Sequence, residues 1–302
     1  MSFLYLFGTL FVLVPVLYMY TVSVMSARLP TLTNKRICLL IAHPDDEAMF
    51  FSPTVLALAR PNTGNHLKIL CLSSGNAEGL GETRKKELVK SALTLGLQDE
   101  DDVFVVDSPD FPDSMTTHWD STKIATLLRR AFIPPQPASS KSKSADDKPP
   151  TASIDVLLTF DAHGVSGHPN HISLYRGARQ FVASLIQGKP GWRAPVDLYT
   201  LTTVPVWRKY AHVFDVVPTV SSAVVGAIRK KAAKDVPKAL VFLSDLSPSA
   251  TGGGLGTAWR AMTTAHKSQM VWFRYGWIAL SRYMVINDLR LEHDIGPPDI
   301  KE

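Results

Sequence analysis

The chain is expected to fold as an α/β domain: a Rossmann-like, three-layer arrangement around a mainly parallel sheet, preceded by one N-terminal transmembrane helix. Three observations predict this. Strand-like apolar runs alternate with helix-like stretches through most of the 302 residues, the pattern of a doubly wound sheet. Residues 37–42 (Ile-Cys-Leu-Leu-Ile-Ala) are uniformly apolar, as in a parallel strand buried on both faces. Residues 3–25 are almost wholly apolar, and no charged residue occurs before Arg28. At about 1.5 Å of rise per residue, such a stretch crosses a hydrocarbon core of ~30 Å.

The anchor is assigned to residues 1–27 and the domain to 28–302. A secretory signal peptide has a basic n-region and a shorter apolar core; this run has neither, although a signal peptide or buried helix stays open as the alternative. Tyr18 and Tyr20 suit a membrane interface. Pro15 in mid-span is tolerated in lipid. Arg28, Lys35 and Arg36 follow the span, so the positive-inside rule puts the C-terminal bulk in the cytosol. Only Cys38 and Cys71 are present, both in apolar runs, which reads as two reduced buried thiols and excludes a cysteine-ligated zinc site. A net charge of +5 suits acidic lipids or phosphates.

After the first strand, residues 52–60 read as a short helix opened by Pro53. Residues 68–72 form the second strand, followed by the glycine-rich stretch 75–81. Leu88, Ala92 and Leu95 make one stripe of a helix over 85–97. A strand at 103–106 and a helix at 122–132 follow. Residues 134–150, rich in proline and serine, read as a disordered insert within the domain, because strand and helix alternation resumes at 154–160 and 172–185. Strands are expected at 198–202 and 240–243, a basic helical piece at 226–234, a glycine-rich loop at 249–256, and one continuous helix over 259–280.

The chemistry gathers after two strands. His43-Pro44-Asp45-Asp46-Glu47 follows the first, and His168-Pro169-Asn170-His171 follows the strand at 154–160. Open α/β sheets place their sites at strand carboxyl ends. An imidazole and three carboxylates within five residues repel one another unless a cation is present. His43, Asp46 and His171 are the chosen ligands: two imidazoles and a carboxylate, leaving an open position for water, as in a catalytic zinc site. Zinc lowers the pKa of such water towards ~7. The same ligand set suits non-haem iron, so the metal is assigned as Zn2+ with other divalent ions open. Asp45 is the expected general base. His168 is expected to stabilise the oxyanion and protonate the leaving amine. Glu47 is expected to orient a ligand from behind.

These residues carry a family resemblance. Ala42 to Glu47 and His168 to His171 resemble the paired signatures of the N-acetylglucosaminyl-phosphatidylinositol de-N-acetylase family, the PIG-L and LmbE-like deacetylases, over about residues 36–185. Gly75-Asn76-Ala77-Glu78-Gly79 with Arg84 and Glu87, the approach Thr159-Phe160-Asp161 to Gly164-Val165, and Ser268-Gln269 extend it. The resemblance implies the same roles: His43, Asp46 and His171 on the metal, Asp45 as base and His168 assisting. It also implies a glycolipid substrate in the membrane, a cytosol-facing enzyme of the endoplasmic reticulum, and the second step of glycosylphosphatidylinositol (GPI) anchor assembly. The insert at 134–150 departs from the family pattern.

Several residues keep two readings. Arg84 binds a sugar hydroxyl or phosphate, or pairs with Glu87 or another acid. Asp113 hydrogen-bonds a sugar hydroxyl or merely shapes a turn. Trp272, Phe273 and Trp277 are core of the last helix or a membrane-facing patch; Arg229, Lys230, Lys231 and Lys234 are a lipid-binding face or a solvated one. Gly79-Leu80-Gly81 lacks the third glycine of a dinucleotide fingerprint, so no nucleotide cofactor is expected, nor nucleic acid. Oligomeric state is not written in the sequence.

Overall fold

The computed structural model describes residues 2–25, 28–135, 150–189, 191–219, 221, 236–246, 253–292 and 295. Seven strands form one sheet: β1 (Arg36–Ile41), β2 (His66–Cys71), β3 (Val103–Val105), β4 (Val156–Phe160), β5 (Asp197–Leu201), β6 (Ala239–Leu243) and β7 (Ile286–Leu291). Their order is β3-β2-β1-β4-β5-β7-β6. The first five are mutually parallel, and β7 runs antiparallel to both β5 and β6. The fold is thus mixed α/β with a mostly parallel central sheet.

β1 is central because its sequence allows nothing else. Ile37 to Ile41 are all buried, which only a strand covered on both faces achieves. Its register sets Leu39 against Ile69 on one side and Leu158 on the other. Truncating such a side chain to alanine costs about 2–5 kcal/mol. The chain leaves β1 for β2 on one side, while β4 sits on the other. The switch in strand order therefore lies between β1 and β4, and the loops leaving their carboxyl ends diverge around a crevice.

Helices cover the sheet in two groups. α5 (Ser121–Phe132) packs on α7 (Pro169–Leu185), where Gly177 lets Ile124 approach closely. α4 (Gly81–Leu95) packs on α3 (Ser52–Leu58), on α9 (Leu255–Arg260) and on the π-helical turn Ala261–Ala265. α2 (Asp46–Met49) and α6 (Gly164–Gly167) are single turns after β1 and β4, and α8 (Val206–Lys209) follows β5. The strands on both sides of the proline-rich insert belong to the same sheet; residues 136–149 of that insert lie outside the described residues.

Three expectations about the elements change. α4 starts at Gly81, four residues earlier than the apolar stripe suggests, because Asn76 Oδ1 accepts the Gly81 N–H at 2.9 Å and fixes the entry. The expected continuous helix over 259–280 is broken: His266 and Met270 leave helical geometry, and α10 (Trp272–Leu280) starts anew. β7 was not expected. Its sequence, Ile-Asn-Asp-Leu-Arg-Leu, buries the polar Asn287 and Asp288, which hides the strand pattern. The basic piece at 226–234 and residues 249–252 of the glycine-rich loop lie outside the described residues.

α1 (Ser2–Met25) is a 24-residue helix containing Pro15. Several of its side chains lie outside the described residues, and among the described residues no helix is long and apolar enough to cross a membrane. Tyr18 is not at an aqueous interface: it is fully buried, and its hydroxyl is shared between the carbonyls of Ser244 and Val285 at 2.7 and 2.9 Å. Tyr20 is exposed. Cys38 and Cys71 are free and buried, as expected.

Candidate metal centre

The first site loop turns sharply because Pro44 ends the ladder and Asp45 takes φ +118°. A left-handed aspartate costs of order 1–3 kcal/mol and persists only where surroundings hold it. Two things do. Glu47 Oε2 accepts the Asp45 N–H at 3.2 Å, and Asp46 Oδ2 accepts the N–H groups of Ala42 and His43, both at 3.0 Å. The strain turns Asp46 back under the end of β1. The second loop is set by Gly164 at φ +62°, where a Cβ would fall 2.9 Å from that of His171. Pro169 opens α7, and His168 caps it, its Nδ1 accepting the Asn170 N–H at 3.2 Å.

His43, Asp46 and His171 converge, all buried, with one ligand atom of each lying within 4.8 Å of the others. Their tautomers follow from their partners. His171 Nδ1 lies 3.0 Å from the Gly164 carbonyl, which can only accept, so Nδ1 carries the proton. His171 Nε2 then presents a lone pair; it is buried without a hydrogen-bond partner and faces Asp46 Oδ1 at 3.2 Å. His43 Nε2 faces Asn170 Oδ1 at 3.0 Å and Asp113 Oδ1 at 3.2 Å, both acceptors. The proton therefore sits on Nε2, and His43 Nδ1 turns its lone pair towards Asp46 Oδ2, 4.0 Å away. Two imidazole lone pairs aimed at one carboxylate repel unless a cation lies among them. The donor set fits a divalent ion. Burial works against the Asp46 carboxylate, but its close contacts with His171 and His43, including the His43 backbone N–H, outweigh it and hold the carboxyl below its ordinary range. Phe160 stacks on His171 at 3.8 Å and walls the cluster on one side.

A second grouping, His43, Asp113 and His168, is also close enough for a metal. It needs the His43 nitrogen that already carries a proton, so it does not compete with the first. His168 is half-buried, with its ring 5.0 Å from His43 and 4.9 Å from His171. Burial, then the close approach of His171 and His43, push its pKa down to about 4. It is therefore neutral at pH 7, with Nδ1 accepting and the proton on Nε2. It can donate a hydrogen bond into the cleft, but must gain a proton before acting as an acid.

The remaining expected residues fall as follows. Arg84 is buried and does not reach Glu87. Its guanidinium donates to the carbonyls of Gly75 at 2.8 Å and Pro44 at 2.9 Å, and pairs with Asp113 at 3.3 Å and Asp45 at 3.7 Å. Glu87 instead accepts from the backbone N–H and hydroxyl of Ser268, at 2.8 and 2.6 Å. Asp113 bridges His43 and Arg84 rather than shaping a turn alone. Glu47 touches none of the three ligands; behind Asp45 it bonds Ser91 Oγ and His266 Nε2, both at 2.5 Å. Burial opposes the His266 imidazolium, yet the Glu47 carboxylate prevails and its pKa is raised. Trp277 packs on Phe50, ring centroids 5.3 Å apart, while Trp272 and Phe273 are exposed, so the core reading holds for Trp277 alone.

Three residues of the site were not foreseen. Arg274 on α10 forms a close ion pair with Asp45 Oδ2. His266 completes the buried pair with Glu47. Asn170 fixes His43, accepting on Oδ1 while its amide donates to the Thr117 carbonyl at 2.8 Å. Asn170 had a signal, lying inside the His-Pro-Asn-His motif; the other two had none.

The class is that of α/β proteins with a two-histidine, one-carboxylate site at the sheet's switch point. The sequence profile described as "PIG-L: GlcNAc-PI de-N-acetylase" matches residues 38–182. The chain is 48% identical to an N-acetylglucosaminyl-phosphatidylinositol de-N-acetylase of Arthroderma benhamiae, covering 87% of this chain and 89% of that one. It is 35% identical to the Bos taurus protein of the same name, over 85% and 83% of the two chains. A probable N-acetylglucosaminyl-phosphatidylinositol de-N-acetylase of Schizosaccharomyces pombe is 36% identical over 86% and 88%. The chain belongs to the GlcNAc-PI de-N-acetylase family.

Proposed function

We propose that this protein removes acetate from N-acetylglucosaminyl-phosphatidylinositol, giving glucosaminyl-phosphatidylinositol for GPI-anchor assembly. Family membership supplies the reaction. The observation that carries the chemistry is the orphaned, buried His171 Nε2 aimed with His43 at Asp46. His43, Asp46 and His171 would hold the metal, Zn2+ on our reading. Bound there, a divalent ion would polarise water and the amide carbonyl as a Lewis acid.

The chain's own groups do the rest. Asp45 takes the proton of the attacking water, and its carboxylate is held in place by Arg274 and Arg84. His168 donates a hydrogen bond from Nε2 to the oxygen that gains charge; after taking up the proton that Asp45 removed from the water, it passes one proton to the departing amine nitrogen. The C–O bond forms first, charging the carbonyl oxygen, and the C–N bond then breaks as the amine is protonated, releasing acetate. Asp113, between His43 and Arg84, is positioned to accept from a sugar hydroxyl.

We further read α1 as a membrane anchor, the two helix groups as outer layers of a three-layer domain, and the cytosolic face of the endoplasmic reticulum as its location. The support is the uncharged, apolar sequence before Arg28 and the basic residues just after it. The functional test is acetate release from N-acetylglucosaminyl-phosphatidylinositol. Asp45→Asn should lower kcat by about 10²–10⁴ with KM little changed. A wild-type rate in that variant would remove Asp45 from the mechanism.

A further inference from the structure

Among the described residues, a group of exposed aromatic side chains lies at one edge of the sheet. Because β5 and β6 both run antiparallel to β7, β6 is parallel to β1, β4 and β5. The carboxyl ends of those four strands and the amino end of β7 therefore share an edge. The metal centre sits there, after β1 and β4. So does the docking point of α1, whose Tyr18 binds Ser244 just after β6 and Val285 just before β7. The segment after β5, from α8 through the turn His212–Asp215, packs against the turn Arg282–Met284 and carries exposed Trp207, Tyr210 and Phe214. α10, which runs into that same turn, carries exposed Trp272 and Phe273. Trp272 is 85% exposed and Trp207 71%. Soluble surfaces seldom gather such residues.

These residue types indicate the occupant. Tryptophan and tyrosine with neighbouring lysine mark the headgroup level of a bilayer, and Lys209 lies over the Tyr210 ring at 5.9 Å. The patch is continuous with α1, since the helix packs directly on the His212–Asp215 turn. It also borders the cleft: Arg274, next to Phe273 in sequence, reaches in to pair with Asp45.

We propose that this edge docks on a lipid bilayer, with Trp207, Phe214, Trp272 and Phe273 seated among the headgroups and the metal cleft opening onto the membrane surface. A lipid headgroup then enters the cleft from the plane in which it resides. This rests on the de-N-acetylase reading for its substrate and on the anchor reading for α1.

The test uses full-length protein in phosphatidylcholine vesicles. The double variants Trp207→Ser/Phe214→Ser and Trp272→Ser/Phe273→Ser are compared with wild type. One substrate is N-acetylglucosaminyl-phosphatidylinositol in the vesicles; the other is its water-soluble headgroup, freed of acyl chains. Docking predicts about a tenfold loss on the vesicle substrate and less than a twofold change on the soluble one. No loss on vesicles, or equal losses on both, overturns the proposal. Tryptophan quenching by brominated lipid gives a readout free of catalysis: wild type should be quenched, and each double variant less so. Unquenched wild type also overturns it. Failure of the underlying readings looks different: no acetate from either substrate counts against the function, and release of wild type by alkaline carbonate counts against the anchor.

Discussion

Replacing Glu47 by alanine should destabilise the protein more than almost any other single change near the site. The carboxylate is fully buried and accepts from three groups: the Asp45 N–H, Ser91 Oγ and His266 Nε2. Alanine leaves the His266 imidazolium buried without its counter-charge, at a cost of about 3–5 kcal/mol. For a domain of this size that lowers Tm by roughly 6–10 °C. The cost depends on pH. The folded pKa of His266 is raised, so the pair's contribution is fully present below the imidazole's unfolded value near ~6.5 and is lost as pH rises through the higher folded value. The gap between the thermal melts of wild type and Glu47→Ala should therefore narrow as pH rises from 6 to 9. Glu47→Gln keeps the shape and should cost less, about 1–2 kcal/mol. A Glu47→Ala protein melting within 2 °C (roughly 1 kcal/mol) of wild type at pH 6 would refute the reasoning. So would a gap that widens at pH 9.

Gly75→Ala should lower Tm and activity together: Gly75 has φ +68°, and a methyl there would collide with the Arg84 guanidinium that braces Pro44 and Asp113. Melting temperature and kcat on the vesicle substrate check this, and unchanged values would mean Arg84 is not held as described. Tyr18→Phe should cost about 1–3 kcal/mol by leaving two buried carbonyls short of a donor, read as faster hydrogen exchange at Ser244 to Ile286. Arg274→Gln should reduce kcat more than KM because it frees the Asp45 carboxylate without touching a metal ligand. Bound metal should stay at the wild-type level, and its loss would move Arg274 into the metal centre instead.

The site's outline was legible because the clustered His43, Asp46 and His171 sit in two short motifs directly after apolar runs. The uninterrupted 37–42 stretch could only be a central strand, and the Pro44 stop fixed where His43 and Asp46 fall. His168 and His171 were legible for the same reason after β4. What holds these residues was not legible. Arg274 reaches Asp45 across 229 positions and His266 reaches Glu47 across 219, separations over which no local pattern reports. β7 was hidden because Asn287 is buried for a structural reason, accepting from Thr54 and donating to the Phe50 carbonyl. The break before α10 was hidden because its apolar spacing continues across it.

The most direct test is metal content measured alongside acetate release. Wild-type protein should hold one divalent ion per chain, lose it to a strong chelator together with its activity, and recover both when the ion is restored. His171→Ala should hold none and release no acetate. Full activity in metal-free wild type, or an undiminished ion in His171→Ala, would contradict the claim that His43, Asp46 and His171 share a catalytic cation.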